Sequence, residues 1–251
     1  MARIHEIADG FWNIRGSFKI LGLLDVGTQA SLVRLGSGGF VMLDSYTLEG
    51  PTADEVLRLT DGGKAVEAVI NLHPFHTLHI EPMAKLFPNA KHYGTARHHS
   101  RFADMSWEPE RTETAAFAAL FADDFDFMVP RGVDFIPSNE NLHFASVLAF
   151  HKPSATLHVD DTLNWMPFPL GNRLAFHPSL KGVLERRPGA TADFRTWAEE
   201  FIARCDSVRQ VCTAHAKLAP VADDPPGGIA QRVREALGRV EKVLVAHEQR
   251  A

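Results

Sequence analysis

Apolar residues in the first third of the chain follow strand periodicity and then helix periodicity. Residues 30–35 alternate between apolar and polar positions, and residues 40–43 form an apolar run that ends at Asp44. This pattern predicts a hairpin with a buried second strand. Residues 51–59 then combine a capping-box pattern, with Thr52 as the N-cap residue, with the apolar stripe of a helix.

The next segments repeat this alternation of strand and helix. The apolar, β-branched run at 66–72 predicts a buried strand, residues 81–87 a short helix, and residues 90–94 another strand. The order strand, helix, strand, helix, strand over residues 39–94 indicates a parallel α/β sheet with crossover helices.

The second half of the chain begins with strands and ends with helices. Apolar runs at 146–150 and 155–159 flank a turn and predict a second hairpin. Residues 191–205 show helical spacing, and residues 208–215 predict a last short strand. The C-terminal helix carries an apolar stripe, which is more often a packing face than a partner-binding one, and the helix is also a candidate interface of a homo-oligomer. The stripe consists of Ile229, Val233, Leu237, Val240 and Leu244.

Composition narrows the class of protein. The 251 residues are 45% hydrophobic, enough for one globular domain over residues 1–251, and the net charge of -5 argues against nucleic-acid binding. Cys205 and Cys212 form no known metal or redox motif. The sequence shows neither a signal peptide nor an apolar stretch that could span a membrane, so we expect a cytoplasmic protein without a membrane partner.

Histidine is unusually frequent, with 13 residues where ordinary composition gives about half as many. Several polar side chains stand where predicted strands end: Asp44, His73, His76, Asp161 and His215. Loops at the carboxyl ends of strands are where α/β folds build sites, and imidazole and carboxylate are common ligands of Zn and Fe.

The order of these features resembles the metallo-β-lactamase-fold superfamily. The resemblance runs from about Ile4 to His215 and includes the strand ending in Asp44, the loop after the next strand, and the later hairpin. It implies an α/β fold in the form of a four-layer αββα sandwich, with two mixed β-sheets and helices outside.

The family's His-x-His-x-Asp-His loop is incomplete in this chain. Aligned on the Phe-Pro pair that follows the next helix, the loop falls on "NLHPFH". His73 and His76 match two of the family's ligands. Asn71 takes the place of the first ligand and Phe75 that of the aspartate, so a two-metal site is not expected.

The resemblance still implies candidates for one metal ion. They are His73, His76, His143, Asp161 and His215. We expect one Zn or Fe ion at most, or none. Asp161 is the only carboxylate placed to act as a catalytic base.

Three functions fit this pattern. The first is a metal-dependent hydrolase of a small-molecule substrate with a reduced site. The second is a non-catalytic member that has lost the metal and binds a ligand or partner. The third is a redox or oxygen-handling metal protein, because His and carboxylate sites also hold iron. Loss of the loop aspartate argues against the first, and the clustered histidines argue against the second.

Other polar residues receive structural interpretations. His79, which has no counterpart in the family, either substitutes for a lost ligand or points to solvent, and we expect the latter. Residues 97–99 are expected to lie on the surface, and His151 to be structural. Asp44 is expected to brace the loop by hydrogen bonds. The aromatic-rich residues 96–140 are expected to cover the mouth of the site.

Overall fold

The computed structural model describes residues 2–20, 23–166, 170–215 and 227–250. The chain divides into two compact units. Unit 1 comprises residues 1–126 and 151–154, and unit 2 comprises residues 127–150 and 155–251. The single domain over residues 1–251 remains a prediction.

Unit 1 contains eight described strands and four described helices. They are β1 (Arg3–Ala8), β2 (Phe11–Gly16), β3 (Lys19–Ile20), β4 (Leu24–Asp25), β5 (Thr28–Arg34), β6 (Phe40–Leu43), α1 (Gly50–Leu59), β7 (Val66–Ile70), α2 (Ile80–Leu86), β8 (Lys91–Tyr93), α3 (Ala96–Arg101) and α4 (Ala115–Leu120).

Six of these strands form a mixed sheet in the order β1-β2-β5-β6-β7-β8. The pairs from β1 to β6 are antiparallel, whereas β6, β7 and β8 run parallel. In sequence, α1 connects β6 to β7 and α2 connects β7 to β8, as the alternation of apolar patterns predicts. The carboxyl ends of three neighbouring strands therefore meet at one edge of this sheet.

Helix α1 begins earlier than its capping-box pattern predicts. Its N-cap residue is Glu49, and Pro51 lies in the first turn, where its missing N–H costs nothing. The hydroxyl of Thr52 donates instead to the carbonyl of Ala2, 2.9 Å away. The local pattern assigns the Thr52 hydroxyl to the helix cap, but in the structure this hydroxyl makes a tertiary contact instead.

The remaining elements belong to unit 2, apart from the ends of β9 and β10 that fall in unit 1. They are β9 (Phe125–Met128), β10 (Leu148–His151), β11 (Thr156–Val159), β12 (Leu163–Met166), β13 (Arg173–Phe176), α5 (Leu180–Val183), α6 (Ala190–Arg204), β14 (Gln210–Thr213) and α7 (Gly228–Glu248). One sheet has the order β14-β11-β10-β9, with β11 and β14 parallel, and β12 pairs with β13 as an antiparallel hairpin.

The apolar stripe of α7 packs inside unit 2. Ile229, Val233 and Leu244 are 0% exposed and belong to one core cluster with residues of α6 and β13. A homo-oligomer that used α7 would therefore have to contact its other face. Among the described residues, no helix has the length and apolar character needed to cross a membrane.

Candidate metal centre

Asp44 holds the start of the loop that follows β7. Its Oδ1 accepts a hydrogen bond from the backbone N–H of Leu72 at 2.8 Å, and its own N–H donates to the carbonyl of Ile70. The residue has a φ of 57°, a left-handed conformation that aspartate tolerates better than most residues. The hydrogen bond is the bracing contact expected from the sequence.

The two residues that replace family ligands have other contacts. The buried amide of Asn71 donates to the carbonyl of Tyr93 at 3.2 Å, and its Oδ1 accepts from the hydroxyl of Ser45 at 2.7 Å. The guanidinium of Arg97 lies 4.7 Å from the ring centroid of Phe75, within cation–π range. Asn71 therefore hydrogen-bonds to one residue that follows β6 and to the last residue of β8. The ring of Phe75 packs against the cationic side chain of Arg97.

His73 and His76 lie against each other in this loop. Their rings stack with centroids 4.0 Å apart, and His73 is fully buried. Nδ1 of His73 accepts a hydrogen bond from the backbone N–H of Phe75 at 3.1 Å. A metal ion bound at that nitrogen would have to replace this hydrogen bond.

Two neighbouring histidines differ from their predicted environments. His98 is fully buried although residues 97–99 are predicted to be surface, and burial, followed by the charges of His73 and His76, lowers its pKa to about 3. His79 is half-buried, with Nδ1 2.8 Å from the hydroxyl of Thr47, and burial lowers its pKa. Periodicity over a helix of six residues is too short to distinguish a buried face from an exposed one.

The aromatic residues of the segment 96–140, which was predicted to cover the mouth of the site, are mostly packed into unit 1. Phe117 and Phe125 are 0% and 1% exposed, and Phe117 and Phe121 both contact the ring of Tyr93. Core packing explains these aromatic residues. That residues 96–140 cover a site mouth remains a prediction.

Three of the five metal candidates come together in unit 2. Asp161 follows β11, and its side chain is only 2% exposed. Nε2 of His215, which follows β14, lies 2.9 Å from Oδ1 of Asp161. Nδ1 of His143 lies 4.0 Å from Oδ2 of the same carboxylate. The parallel pairing of β11 with β14 places the loop of Asp161 beside that of His215.

The tautomer of His143 follows from its hydrogen bond to the main chain. Nε2 lies 2.6 Å from the carbonyl oxygen of Glu140, which can only accept, so Nε2 carries a proton. A neutral His143 then directs the lone pair of Nδ1 towards Asp161. A metal ion is one group that could bridge this lone pair and the carboxylate across the 4.0 Å between them.

His177 is a third imidazole in these surroundings. It directly follows β13, and burial lowers its pKa, with a raising contribution from Asp161 and lowering ones from His215 and His143. Its place just after a strand is the same signal that identified the other candidates, but the sequence analysis predicted no strand over Arg173–Phe176.

The donor atoms of unit 2 are of the types that bind a metal ion. Two ligand atoms that each lie about 2.1 Å from a tetrahedral ion are separated by about 3.4 Å. The carboxylate–imidazole distances are 2.9 Å to Oδ1 and 4.0 Å to Oδ2 of Asp161, so one is shorter and one longer than that separation. One carboxylate and several imidazoles also suit both Zn and Fe.

Comparison with known proteins indicates the fold but no closer relative. No protein-family model matches the chain, and no curated protein matches it. Among solved structures, a metallo-β-lactamase from Erythrobacter litoralis has a TM-score of 0.61 and 14% identity, covering 95% of this chain and 96% of its own.

Two further metallo-β-lactamases give similar values. DIM-1, in a structure exposed to ceftazidime, has a TM-score of 0.60 and 13% identity, covering 94% of this chain and 97% of its own. FIM-1 from Pseudomonas aeruginosa, in its mono-zinc form, has a TM-score of 0.57 and 9% identity, covering 95% and 96%. The predicted fold class is confirmed, and at these identities the likeness concerns the fold alone.

Proposed function

The chain has the metallo-β-lactamase fold, and from this premise we propose that it is a metal-dependent hydrolase of a small molecule. The proposed site binds one Zn or Fe ion at most. Asp161, His143 and His215 would hold the ion in unit 2, and when bound it would supply the positive charge that acidifies a water molecule.

The observation that carries this proposal is the arrangement around Asp161. Its buried carboxylate has one imidazole at 2.9 Å and, at 4.0 Å, a second whose tautomer directs a lone pair towards it. Burying a carboxylate is costly unless hydrogen bonds or a cation compensate its charge, and a metal ion at this position would supply a cation. In this proposal Asp161 is also the carboxylate that would act as the catalytic base.

The main chain limits how the imidazoles can move. The carbonyl of Glu140 fixes the ring of His143, and a hydrogen bond of this kind orients an imidazole ligand and raises its basicity. His215 stands two residues beyond β14, and its carbonyl accepts a hydrogen bond from the hydroxyl of Thr213 at 3.2 Å.

The resemblance also assigns His73 and His76 to the ion. This assignment remains a prediction from the order of residues in the chain. In the structure, the rings of His73 and His76 stack, and Nδ1 of His73 accepts a hydrogen bond from the backbone N–H of Phe75. Metal binding at this nitrogen would have to break that hydrogen bond. Variants in each unit therefore have to be tested both alone and in combination.

The first experiment measures the metal content of the purified full chain after growth with added zinc or iron. We expect no more than one equivalent, reduced by His215→Ala and reduced further when His76→Ala is added. His247→Ala, which removes an imidazole at the end of α7, is the matched control and should retain the metal. A chain that takes up no Zn or Fe would overturn the proposal.

The second experiment concerns the reaction. A panel of activated esters, thioesters and chromogenic β-lactams should include at least one compound that is hydrolysed by the metal-loaded chain. Hydrolysis should be lost after treatment with a chelator and restored by adding the metal back. Metal binding without hydrolysis of any class would remove the catalytic part of the proposal.

A non-catalytic role is the second candidate, and the loop of unit 1 favours it. Asn71 is engaged by Ser45 and Tyr93, and Phe75 supports Arg97, so both replaced positions have acquired structural contacts. This candidate predicts a metal-free protein that binds a small molecule or partner. The metal measurement described above separates it from the first.

A further inference from the structure

We infer that Thr162 is a positioning residue of the proposed metal site, because its hydroxyl fixes the segment that carries His143 against the segment that carries Asp161. This inference rests on the proposed function, since it requires that unit 2 binds a metal ion. The role assigned to Thr162 is indirect: it would act on the ion only through the placement of the two candidate ligands.

The side chain of Thr162 lies in a buried polar cluster between these two segments. Thr162 directly follows Asp161 in the chain, and both Thr162 and Ser146 are 0% exposed. Its hydroxyl donates to the carbonyl of Phe144 at 2.9 Å and accepts from the backbone N–H of Ser146, also at 2.9 Å. The hydroxyl oxygen of Ser146 lies 3.0 Å away. Because Phe144 directly follows His143, one side chain connects the neighbours of both candidate ligands.

The hydroxyl of Thr162 uses its full hydrogen-bonding capacity in this cluster. A threonine hydroxyl has one proton to donate and two lone pairs that accept. The carbonyl of Phe144 can only accept, so it receives the Thr162 proton. The hydroxyl of Ser146 must then be the donor at the contact between the two oxygens, and the N–H of Ser146 takes the other lone pair. All three bonds therefore go to the segment that follows His143.

The backbone on the Asp161 side is also fixed. The side-chain amide of Asn164, which is buried, donates to the carbonyl of Asp161 at 3.2 Å. The N–H of Leu163 donates to the carbonyl of Asp160, also at 3.2 Å, and closes a tight turn around Asp161. The hydroxyl of Thr162 therefore extends from a fixed turn, and a shift of the segment after His143 would have to break its bonds.

The distance between the two candidate ligands depends on these backbones. Nδ1 of His143 lies 4.0 Å from Oδ2 of Asp161. Binding sites hold their ligands to within about 0.5 Å of the productive geometry, so a small relative shift of the two segments is enough to weaken an ion between them. Removing the Thr162 hydroxyl would leave the carbonyl of Phe144 and the N–H of Ser146 buried without this partner, which favours such a shift.

The test compares Thr162→Val, which has nearly the same shape but no hydroxyl, with Thr162→Ser, which keeps the hydroxyl. Thr60→Val is the matched control, because Thr60 in unit 1 is also 0% exposed and its hydroxyl donates to the carbonyl of Val56 at 2.7 Å. Metal affinity of the full chain is measured by competition with a chromophoric chelator, for Zn²⁺ or, if the chain binds only iron, for Fe²⁺. Urea denaturation measures stability, and amide hydrogen exchange of the metal-free chain reports the bond from Ser146.

We expect Thr162→Val to lower metal affinity by about 10-fold, the low end of the loss seen when a residue that orients a metal ligand is replaced. Exchange of the Ser146 amide should become faster in the same variant, because its acceptor is gone. Thr162→Ser should restore both properties. Thr60→Val should lose stability but keep the affinity of the parent chain.

Three results would overturn this inference. If the parent chain binds the metal and the folded Thr162→Val keeps its affinity, the inference fails while the proposed function stands. An equal loss of affinity in Thr60→Val would also overturn it, because the effect would then follow from stability alone. If the parent chain binds neither Zn²⁺ nor Fe²⁺, both are overturned. Should Thr162→Val not fold, Ser146→Ala, which removes one of the three bonds and keeps the amide donor, is judged by the same criteria.

Discussion

The carboxylate of Asp44 accepts a hydrogen bond from the backbone N–H of Leu72 at 2.8 Å and thereby joins the end of β6 to the loop after β7. Both residues are buried, so no solvent replaces the carboxylate if it is removed. Asp44 also holds a left-handed backbone with a φ of 57°. Replacing Asp44 should therefore lower the free energy of unfolding for two separate reasons, the lost hydrogen bond and the positive φ.

Asp44→Ala should lower the free energy of unfolding by about 2–4 kcal/mol, since it leaves a buried N–H unsatisfied and places alanine at a positive φ. Asp61→Ala is the matched control, because Asp61 has a φ of 49° but is exposed. It should cost only about 1 kcal/mol. Urea denaturation of both variants measures the difference, and equal losses would show that the hydrogen bond contributes nothing.

His151 should make stability depend on pH. Its ring packs between Phe11 and Phe125, with Nδ1 2.7 Å from the hydroxyl of Ser154, and burial lowers its pKa to about 4. The lowered pKa means that the unfolded chain takes up a proton before the folded chain does as the pH falls. This contribution is fully present above about pH 6.5 and is lost as the pH falls towards 4.

Replacing His151 with Leu should remove that dependence. The slope of unfolding free energy against pH, measured by urea denaturation between pH 6.5 and 4, should decrease by up to about 1.4 kcal/mol per pH unit. His98, whose pKa is lowered to about 3, contributes with the same sign in both proteins and therefore cancels in the comparison. An unchanged slope would contradict the assignment.

Two adjacent residues of α7 should respond differently to truncation. Leu244 is 0% exposed in the core of unit 2, whereas Val245 is 40% exposed. Leu244→Ala should cost about 2–4 kcal/mol of unfolding free energy through lost burial and a cavity, and Val245→Ala should change it by less than about 0.5 kcal/mol. A large loss in Val245→Ala, dependent on protein concentration, would indicate an interface on the outer face of α7.

Restoring the family's loop aspartate should not restore a second metal. In Phe75→Asp, the new carboxylate would lie near the Arg97 guanidinium, now 4.7 Å from the Phe75 ring centroid, and would pair with it. Asn71 would remain tied to Ser45 and Tyr93. Metal analysis of the variant should therefore give no more than one ion per chain, and a second equivalent would show that the loop can still assemble a two-metal site.

Periodicity predicted the elements well where an apolar pattern was long. The alternation over residues 39–94 gave β6, α1, β7, α2 and β8 in the right order, because each strand and helix there buries a face that only one periodicity can produce. Short elements were less predictable. The sequence of α3, which has only six residues, did not predict that His98 is buried. The hydroxyl of Thr52 was predicted to cap a helix but donates to the carbonyl of Ala2.

By itself, the sequence determined the order of strand ends and which of them carry carboxylate or imidazole groups, because backbone periodicity is a local property. Only the tertiary structure decided which groups meet and in what protonation form. The pairing of β11 with β14 brings His215 to Asp161, and the carbonyl of Glu140, which is distant from either strand, selects the tautomer of His143. Hydrogen bonds of this kind depend on where the main chain of other segments passes, which no local pattern specifies.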